Sequence, residues 1–196
     1  DGLSAASPGN SRYQDAPGGT RNGEHWLPAE CNFPIRPGWY YHASQDDAVK
    51  SAYELFDIYF QSIGRGACLD LGIAPDKRGI LHENDVNSIT AFGELLNETF
   101  AHNLATGASV QASNNRGGHA SGTFAAENLI DRDNNTYWAT DDGITTPEFT
   151  VQLESKQRFN IIQLREYIAL GQRIDSFAVD IWENGQWEQV GTATSV

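Results

Sequence analysis

The spacing of apolar residues changes near Asn103, and this change limits the chain to two successive kinds of fold. Before it, apolar residues recur every three to four positions, which places them on one face of a helix. After it, short runs alternate apolar with polar residues, the period of a half-buried strand. We therefore predict an α/β region over residues 1–102 and an all-β region over residues 103–196.

Two helices and a strand are predicted in the first region. Ser44-x-x-Asp47 has the spacing of a capping box, and the helix it would open carries apolar residues at Val49, Ala52, Tyr53, Phe56, Tyr59, Phe60 and Ile63. A short apolar strand is predicted over residues 68–73, and a second helix over residues 86–100 with Asp85 in its first turn. Strands alternating with helices indicate a parallel α/β unit.

Short strands and one hairpin are predicted in the second region. Short alternating runs of apolar residues occur at 149, 151 and 153, over 161–164, and at 177, 179 and 181. Asn184-Gly185 lies between Ile181-Trp182 and residues 187–190, and this dipeptide is the signature of a two-residue β-hairpin turn. This pattern is typical of a β-sandwich.

Composition excludes several classes of partner. The formal net charge of −13 disfavours nucleic acid and anionic membrane surfaces, whereas a neutral glycan remains compatible. No apolar run reaches the roughly 18 residues of a membrane span, and no signal-peptide pattern is visible. Cys31 and Cys68 lack metal or redox spacing, and two buried free thiols are favoured over a disulfide, which stays open.

A segment rich in aromatic, charged and imidazole side chains is the strongest functional signal. It comprises His25-Trp26-Leu27-Pro28-Ala29-Glu30 and continues through Ile35-Arg36-Pro37-Gly38-Trp39-Tyr40-Tyr41-His42. Aromatic faces that stack on a pyranose, with a few fixed polar groups for its hydroxyls, suit a sugar site. A core segment with Pro-rich turns explains the same composition, and this alternative stays open.

The same segment resembles the alpha-L-fucosidases of glycoside hydrolase family 29, whose members carry close variants of Trp-x-Pro-Ala-Glu-Cys and Ile-Arg-Pro-Gly-Trp-Phe-Tyr-His. The resemblance continues through residues 69–80, similar to the family's Leu-Leu-Asn-Ile-Pro-Pro-Asp-x-x-Gly, and covers roughly residues 24–102. Asn32-Phe33-Pro34 and Tyr40 depart from it. The resemblance implies the last part of a (β/α)8-like barrel.

The fucosidase resemblance implies an exo-acting, retaining enzyme that releases terminal L-fucose from glycans. Its nucleophilic Asp and acid/base Glu are expected upstream of Asp1, because no residue here matches either, so this chain alone is expected to be inactive and to need the upstream barrel as partner. The implied substrate wall contains Trp39, Glu30 and Arg36, and Trp26, His25 and His42 are further candidates whose alternative role is in the core. Glu30 would orient a sugar hydroxyl or pair with Arg36.

The second region resembles the discoidin or coagulation factor 5/8 type C family, a jelly-roll-like sandwich often used as a carbohydrate-binding module. The residues that carry this resemblance are Asn103-Leu104-Ala105-Thr106-Gly107, Asn128-x-x-Asp131-x-Asp133-x-x-Thr136-Tyr137-Trp138 and Gly171-Gln172-Arg173-Ile174. The family's last strands are expected beyond Val196. Sugar would bind at loop residues Arg116, His119, Tyr137 or Trp138.

A structural Ca²⁺ is implied by the same resemblance. Its ligands would be backbone oxygens of Asn128 and Asp133 and side-chain oxygens of Asp131 and Thr136, since hard Ca²⁺ prefers clustered oxygen donors. A turn capped by its own side chains is the alternative. No cofactor is expected for catalysis.

Three functions from different classes follow. The first is the fucosidase, acting on fucosylated glycans in a secreted or periplasmic setting. The second is a non-catalytic carbohydrate-binding module or a structural brace, and the third is a scaffold with no sugar role.

Overall fold

The computed structural model describes Glu24, residues 29–118 and residues 122–194, and the chain divides into two compact units with the boundary between Glu98 and Thr99. The change of apolar spacing near Asn103 predicted a boundary between residues 102 and 103, slightly later in the chain. None of the helices within the described ranges combines the length and the apolar content that a membrane crossing requires.

A parallel strand pair is the centre of the first unit. Strand β1 (Glu30–Pro34) pairs with β2 (Cys68–Gly72), in a register that runs from Glu30 opposite Cys68 to Pro34 opposite Gly72. Helix α1 (Ala52–Gln61) connects the strands, and helix α2 (Glu83–Thr99) follows them. The predicted parallel α/β unit is confirmed here, because a parallel pair requires such a crossover.

The predicted start of the first helix is wrong. Residues Ala43–Ala48 form a 3-10 helix, the chain becomes extended at Val49, and α1 begins after Ser51. The capping box is Ser51 with Glu54: the Ser51 hydroxyl accepts from the Glu54 N–H, and the Glu54 carboxylate accepts from the Ser51 N–H at 2.7 Å. Val49 departs from helix because the Lys50 N–H donates to the carbonyl of Ile35, 2.9 Å away.

A buried ion pair joins the end of β1 to the start of α2. Arg36 and Asp85 are 1 % and 0 % exposed, and Arg36 Nη2 lies 2.5 Å from Asp85 Oδ2 while Nε donates to Asp85 Oδ1 at 3.0 Å. Nη1 donates to Asp46 Oδ1 at 2.9 Å. The hydrogen bonds that Arg36 donates to Asp85, more than the one that it donates to Asp46, hold the pKa of Arg36 above its ordinary value despite burial.

Both cysteines are free, as predicted, but the prediction that both are buried is wrong, because Cys31 is only partly buried and Cys68 is exposed. Cys31 lies opposite Leu69 and Cys68 opposite Glu30. Because side chains alternate between the two faces of a strand, this register places the two thiols on opposite faces. A disulfide between them would require the register of β1 against β2 to shift by one residue.

The second unit contains two antiparallel strand pairs. Strand β3 (Ser109–Ala112) pairs with β4 (Phe149–Gln152), and β5 (Phe177–Glu183) pairs with β6 (Gln186–Ala193). Asn184 and Gly185 have φ of 53° and 84°, so the predicted two-residue hairpin is confirmed. Each sheet has two strands, and the closed sandwich stays a prediction.

The strand predicted over residues 161–164 is absent from the structure. These residues form no ladder with any strand of the described region, and Ile162 and Leu164 are exposed. An apolar run becomes a strand only where a neighbouring backbone pairs with it, which the run itself does not specify.

We expect Asp85→Ala to lower the free energy of unfolding of the full chain by about 3–5 kcal/mol, because it leaves the buried Arg36 guanidinium with an unpaired edge. Urea denaturation followed by tryptophan fluorescence measures this. Asp47→Ala is the matched control, since Asp47 is exposed and should change stability by no more than about 0.5 kcal/mol. Equal effects of the two substitutions would contradict the structural role of the pair.

Candidate functional site

The segment after β1 is anchored at the carboxyl end of the parallel pair. The Ile35 N–H donates to the Gly72 carbonyl at 2.9 Å, and Lys50 Nζ donates to the Pro34 carbonyl at 2.7 Å. These bonds fix the point at which the chain leaves the sheet. The bend over residues 35–40 therefore begins at the carboxyl end of the strand pair.

Trp39 lies against Gly72. A Cβ built on Gly72 would meet Trp39 Cζ3 at 2.9 Å, a distance that real Cβ atoms essentially never show, and Cε3 at 3.1 Å, which is tighter than most real contacts. The indole therefore needs glycine at this position. The ring remains 52 % exposed, so one of its sides packs on the strand and the rest is open.

The polar face of the parallel pair adjoins this indole. The Cβ direction of Gly72 is shared by Asp70, two residues earlier on β2. Asn32 lies opposite Asp70, and Glu30 is two residues before Asn32 on β1, so all three belong to this face. All three are exposed. Asn32 and Asp70 lie about 7 Å along the strands from the level of Gly72, whereas Glu30 lies about 13 Å from it, at the amino end of β1. An aromatic ring near an amide and a carboxylate can bind the C–H face and the hydroxyls of a sugar.

Arg36 points inward and does not belong to that polar face. Its side chain is 1 % exposed, and its described acceptors are Asp85, Asp46 and the carbonyl of His42. The expected alternative pairing of Arg36 with Glu30 is therefore not what the structure shows. Arg36 thus ties the start of the bend to α2 and to the segment of His42 and Asp46, and almost none of its side chain is open to a ligand.

Asp46 is the second anchor of the bend. Its Oδ2 accepts from the Tyr41 hydroxyl at 3.3 Å and lies 3.4 Å from His82 Nε2. His82 Nδ1 accepts from the Asn84 N–H at 3.3 Å, which leaves the proton on Nε2 for Asp46. Burial, and then the charge of Asp46, raises the pKa of Tyr41.

Of the remaining aromatic and imidazole residues of this segment, some lie within the described residues and some outside them. His42 is exposed and contributes its carbonyl to Arg36, and Tyr40 is exposed beside Trp39. His25 and Trp26 lie outside the described residues, so their predicted roles stay predictions.

Oxygen donors converge in the loop that was expected to hold calcium. Thr136 Oγ1 lies 2.5 Å from Asp131 Oδ2 and 3.0 Å from the carbonyl of Asp133. These are three of the four expected ligand atoms, and all are hard oxygens, so the donor set fits Ca²⁺. The amide of Asn128 donates to the carbonyls of Thr123 and Tyr137 and ties the loop to the unit.

The same loop also satisfies itself without an ion. Asp131 Oδ1 accepts from the Asp133 N–H at 2.8 Å, and Asp133 Oδ1 accepts from the Asn135 N–H at 2.9 Å. The hydroxyl of Thr136, followed by the Asp133 N–H, lowers the pKa of Asp131. No group of three or more His, Cys, Asp or Glu suited to a metal occurs in the described part of the chain.

The aromatic residues proposed for sugar binding in the second unit take part in its packing. Tyr137 stacks on Tyr167 at 4.5 Å between ring centroids. Trp138 packs edge-to-face on Phe149, and its indole N–H donates to the Asn114 carbonyl at 3.0 Å. Both rings are only partly exposed.

Arg116 lies at the surface of a cross-linked loop. Its Nη1 donates to Asp142 Oδ1 at 2.8 Å, and the Gly117 N–H donates to Asp141 Oδ1, also at 2.8 Å. The hydrogen bond from Arg116 lowers the pKa of Asp142, and the one from Gly117 lowers the pKa of Asp141. His119 lies outside the described residues.

Sequence reasoning missed three residues that support the site. Gly72 had a usable signal, because a glycine inside a strand often marks a close approach of another group. Asp46 lies within the segment Ser44-x-x-Asp47 that was wrongly predicted to be a capping box, so no separate role was predicted for it. Asp85 was correctly placed in the first turn of a helix, but its only predicted role was a favourable interaction with the helix dipole. No local pattern reveals a pair 49 positions apart.

Comparison with known proteins assigns relatives to both units. Alpha-L-fucosidase 1 of Arabidopsis thaliana is 38% identical over 178 residues, covering 89% of this chain and 34% of that protein. A GH29 fucosidase of Ruminococcus gnavus in complex with fucose superposes with a TM-score of 0.81 at 32% identity, over 89% of this chain and 35% of the other. The structure of SpGH29 gives 0.86 at 34% identity, over 96% and 40%.

A family model described as the NedA-like, galactose-binding domain of the F5/F8 type C group matches residues 128–196. The chain spans about a third of the length of the curated relative it matches. By sequence and by structure, the chain is homologous to that third of the alpha-L-fucosidases of glycoside hydrolase family 29, and it carries a galactose-binding-like domain.

Proposed function

We propose that this chain is part of an exo-acting, retaining alpha-L-fucosidase that releases terminal L-fucose from fucosylated glycans. One observation carries the proposal: in a homologue of these enzymes, a half-exposed indole, Trp39, is held over Gly72 at the carboxyl end of parallel strands. In (β/α)8 barrels this end carries the active site. Residues 1–102 would complete such a barrel, and residues 103–196 would form the accessory sandwich.

The chain would supply one wall of the fucose site. Trp39 would stack on the apolar face of the sugar, which an indole can do without hydrogen bonds. Glu30 would accept a hydrogen bond from a sugar hydroxyl. Arg36 would act through Asp85 and Asp46, by fixing the bend that carries Trp39.

The reacting carboxylates would come from the upstream barrel. A retaining mechanism needs two carboxyl groups about 5–5.5 Å apart, a nucleophile that forms a glycosyl-enzyme and an acid/base that serves the leaving oxygen and then water. No residue of this chain matches either by family motif. The site needs no cofactor for this chemistry, and a secreted or periplasmic location would give access to glycans.

A second candidate function concerns the second unit, as a non-catalytic carbohydrate-binding module or a structural brace. Of these two roles, the packing of Tyr137 and Trp138 favours the structural brace for the loop residues proposed to bind sugar, because both rings contact other residues of the unit. Calcium would then order the loop of Asp131 and Thr136 and take no part in catalysis.

Activity provides the direct test of the fucosidase proposal. We expect the 196-residue chain alone not to hydrolyse an aryl alpha-L-fucoside, and the chain joined to the upstream barrel to do so, because loss of nucleophile and acid/base costs orders of magnitude in rate. Trp39→Ala in the joined enzyme should raise KM about tenfold or more. Turnover by the chain alone would show that the catalytic pair is misplaced, and Glu30 with Asp70 would be tested next.

We expect Gly72→Ala to weaken substrate binding through displacement of Trp39, since the new Cβ would overlap the indole. The joined enzyme should show a raised KM for the aryl fucoside and a shifted tryptophan emission. Gly93→Ala is the matched control, because a Cβ at Gly93 on α2 meets nothing within 4 Å. If Gly72→Ala leaves both readouts as in wild type, Trp39 is not held as described.

Calcium should raise the melting temperature of the complete sandwich by mass action, because the ion would bind the native loop and not the unfolded chain. Differential scanning calorimetry with calcium and with chelator measures this. Asp131→Ala should abolish the rise and, since Asp131 also caps its own turn, should melt earlier than wild type even in chelator. A wild-type melting temperature that is the same in both conditions would identify a self-capped turn without metal.

A further inference from the structure

Side chains from the two ends of the bend over residues 35–40 meet each other. Arg36 lies at the start of the bend and Tyr41 directly after it, and Arg36 Cζ lies 4.8 Å from the centroid of the Tyr41 ring. A guanidinium over an aromatic face is an attractive cation–π contact. Because these residues precede and follow Trp39 in the chain, their contact closes the bend that bears the indole.

The carboxylate of Asp46 binds both ends of the closed bend. Its Oδ1 accepts from Arg36 Nη1 at 2.9 Å, and its Oδ2 accepts from the Tyr41 hydroxyl at 3.3 Å. The ring of Tyr41 lies 6.3 Å from the ring of His82, measured between centroids. The half-buried Tyr41 side chain therefore has contacts on its ring and on its hydroxyl, which together define its orientation.

The neighbour of Asp46 in the chain lies against the middle of the bend. A Cβ built on Gly38 would meet Gln45 Nε2 at 3.8 Å and Gln45 Oε1 at 4.0 Å, which are ordinary contact distances. Gln45 and Asp46 thus approach the bend at two places, next to Trp39 and at the ends. The backbone that bears Trp39 is supported by this segment, while the indole itself lies against Gly72.

We propose that Tyr41 is a positioning residue for Trp39, which it orients by bridging Arg36 and Asp46 at the ends of the bend. Its ring and its hydroxyl are both engaged within the protein, so it acts through the backbone of the bend and not through contact with substrate. The kinetic consequence rests on the proposed function, in which Trp39 stacks on the sugar. A small misplacement of a binding group is costly, because a stacking ring must meet the sugar at contact distance.

A purely structural role of Tyr41 is the competing explanation. Loss of its ring removes a contact of the buried Arg36, which would destabilise the first unit without any effect on the indole. The two explanations differ when Trp39 is absent. A positioning residue then loses its effect on substrate binding, whereas an effect that does not pass through Trp39 persists.

Steady-state kinetics of the chain joined to its upstream barrel, with an aryl alpha-L-fucoside, test the proposal. We expect Tyr41→Ala to raise KM about tenfold, as for loss of the Trp39 ring itself, and to change kcat by less than about twofold. Tyr41→Phe keeps the ring over Arg36 and loses only the bond to Asp46, so its KM should rise less. In a Trp39→Ala background, Tyr41→Ala should cause no further rise.

Fluorine nuclear magnetic resonance of the same joined enzyme, labelled with 5-fluorotryptophan, reports the surroundings of the indole directly. The Trp39 signal is assigned by Trp39→Phe, and we expect Tyr41→Ala to move it. Ser51→Ala is the control for lost stability, because it removes the hydroxyl that caps α1. It should lower the melting temperature and leave both KM and the Trp39 signal as in wild type.

Two outcomes would overturn the proposal. The first is that Tyr41→Ala and Trp39→Ala raise KM additively, and the second is that the Trp39 signal of Tyr41→Ala matches wild type. If Tyr41→Ala does not fold, Tyr41→Phe is combined with Trp39→Ala and judged by the same two criteria. A joined enzyme without fucosidase activity would overturn the proposed function, and the fluorine signal would then decide the positioning role by itself.

Discussion

The buried ion pair between Arg36 and Asp85 is the contact on which the first unit depends. It joins the chain leaving β1 to the first turn of α2, and both side chains are almost completely removed from solvent. A charge in that environment is tolerated only when it is paired, so each residue constrains the other. Asp46 extends the pair to the intervening segment, since it binds the free edge of the same guanidinium.

The position of Trp39 is a consequence of this arrangement. The bend that bears it is tied at its start by the bond from Ile35 to the Gly72 carbonyl and beyond its end by the bond from Arg36 to the His42 carbonyl. The absence of a side chain at Gly72 leaves room for the ring. A rigid, partly exposed indole loses little entropy when it meets a ligand. The surrounding polar face is chemically suited to hydroxyl groups.

The second unit separates its aromatic residues by role. Tyr137 and Trp138 lie next to the loop rich in carboxylates and contact other aromatic rings of the unit, whereas Trp182 and Trp187 contact each other and are more than half exposed. Tryptophan occurs both near the carboxylate-rich loop and on the hairpin, and only the surroundings of the ring differ. Composition near a motif is therefore a poor guide to which ring meets solvent.

The sequence by itself determined the resemblance to the alpha-L-fucosidases, the parallel α/β unit, the hairpin at Asn184-Gly185 and the segment that contains Trp39, because periodicity, turn chemistry and motifs are local properties. It misplaced the start of α1 and predicted a strand over residues 161–164. Only the tertiary structure decided that Arg36 turns inward to Asp85 and that Trp39 rests on Gly72. These are contacts between residues distant in the chain, and such contacts depend on how elements pack, which no local pattern encodes.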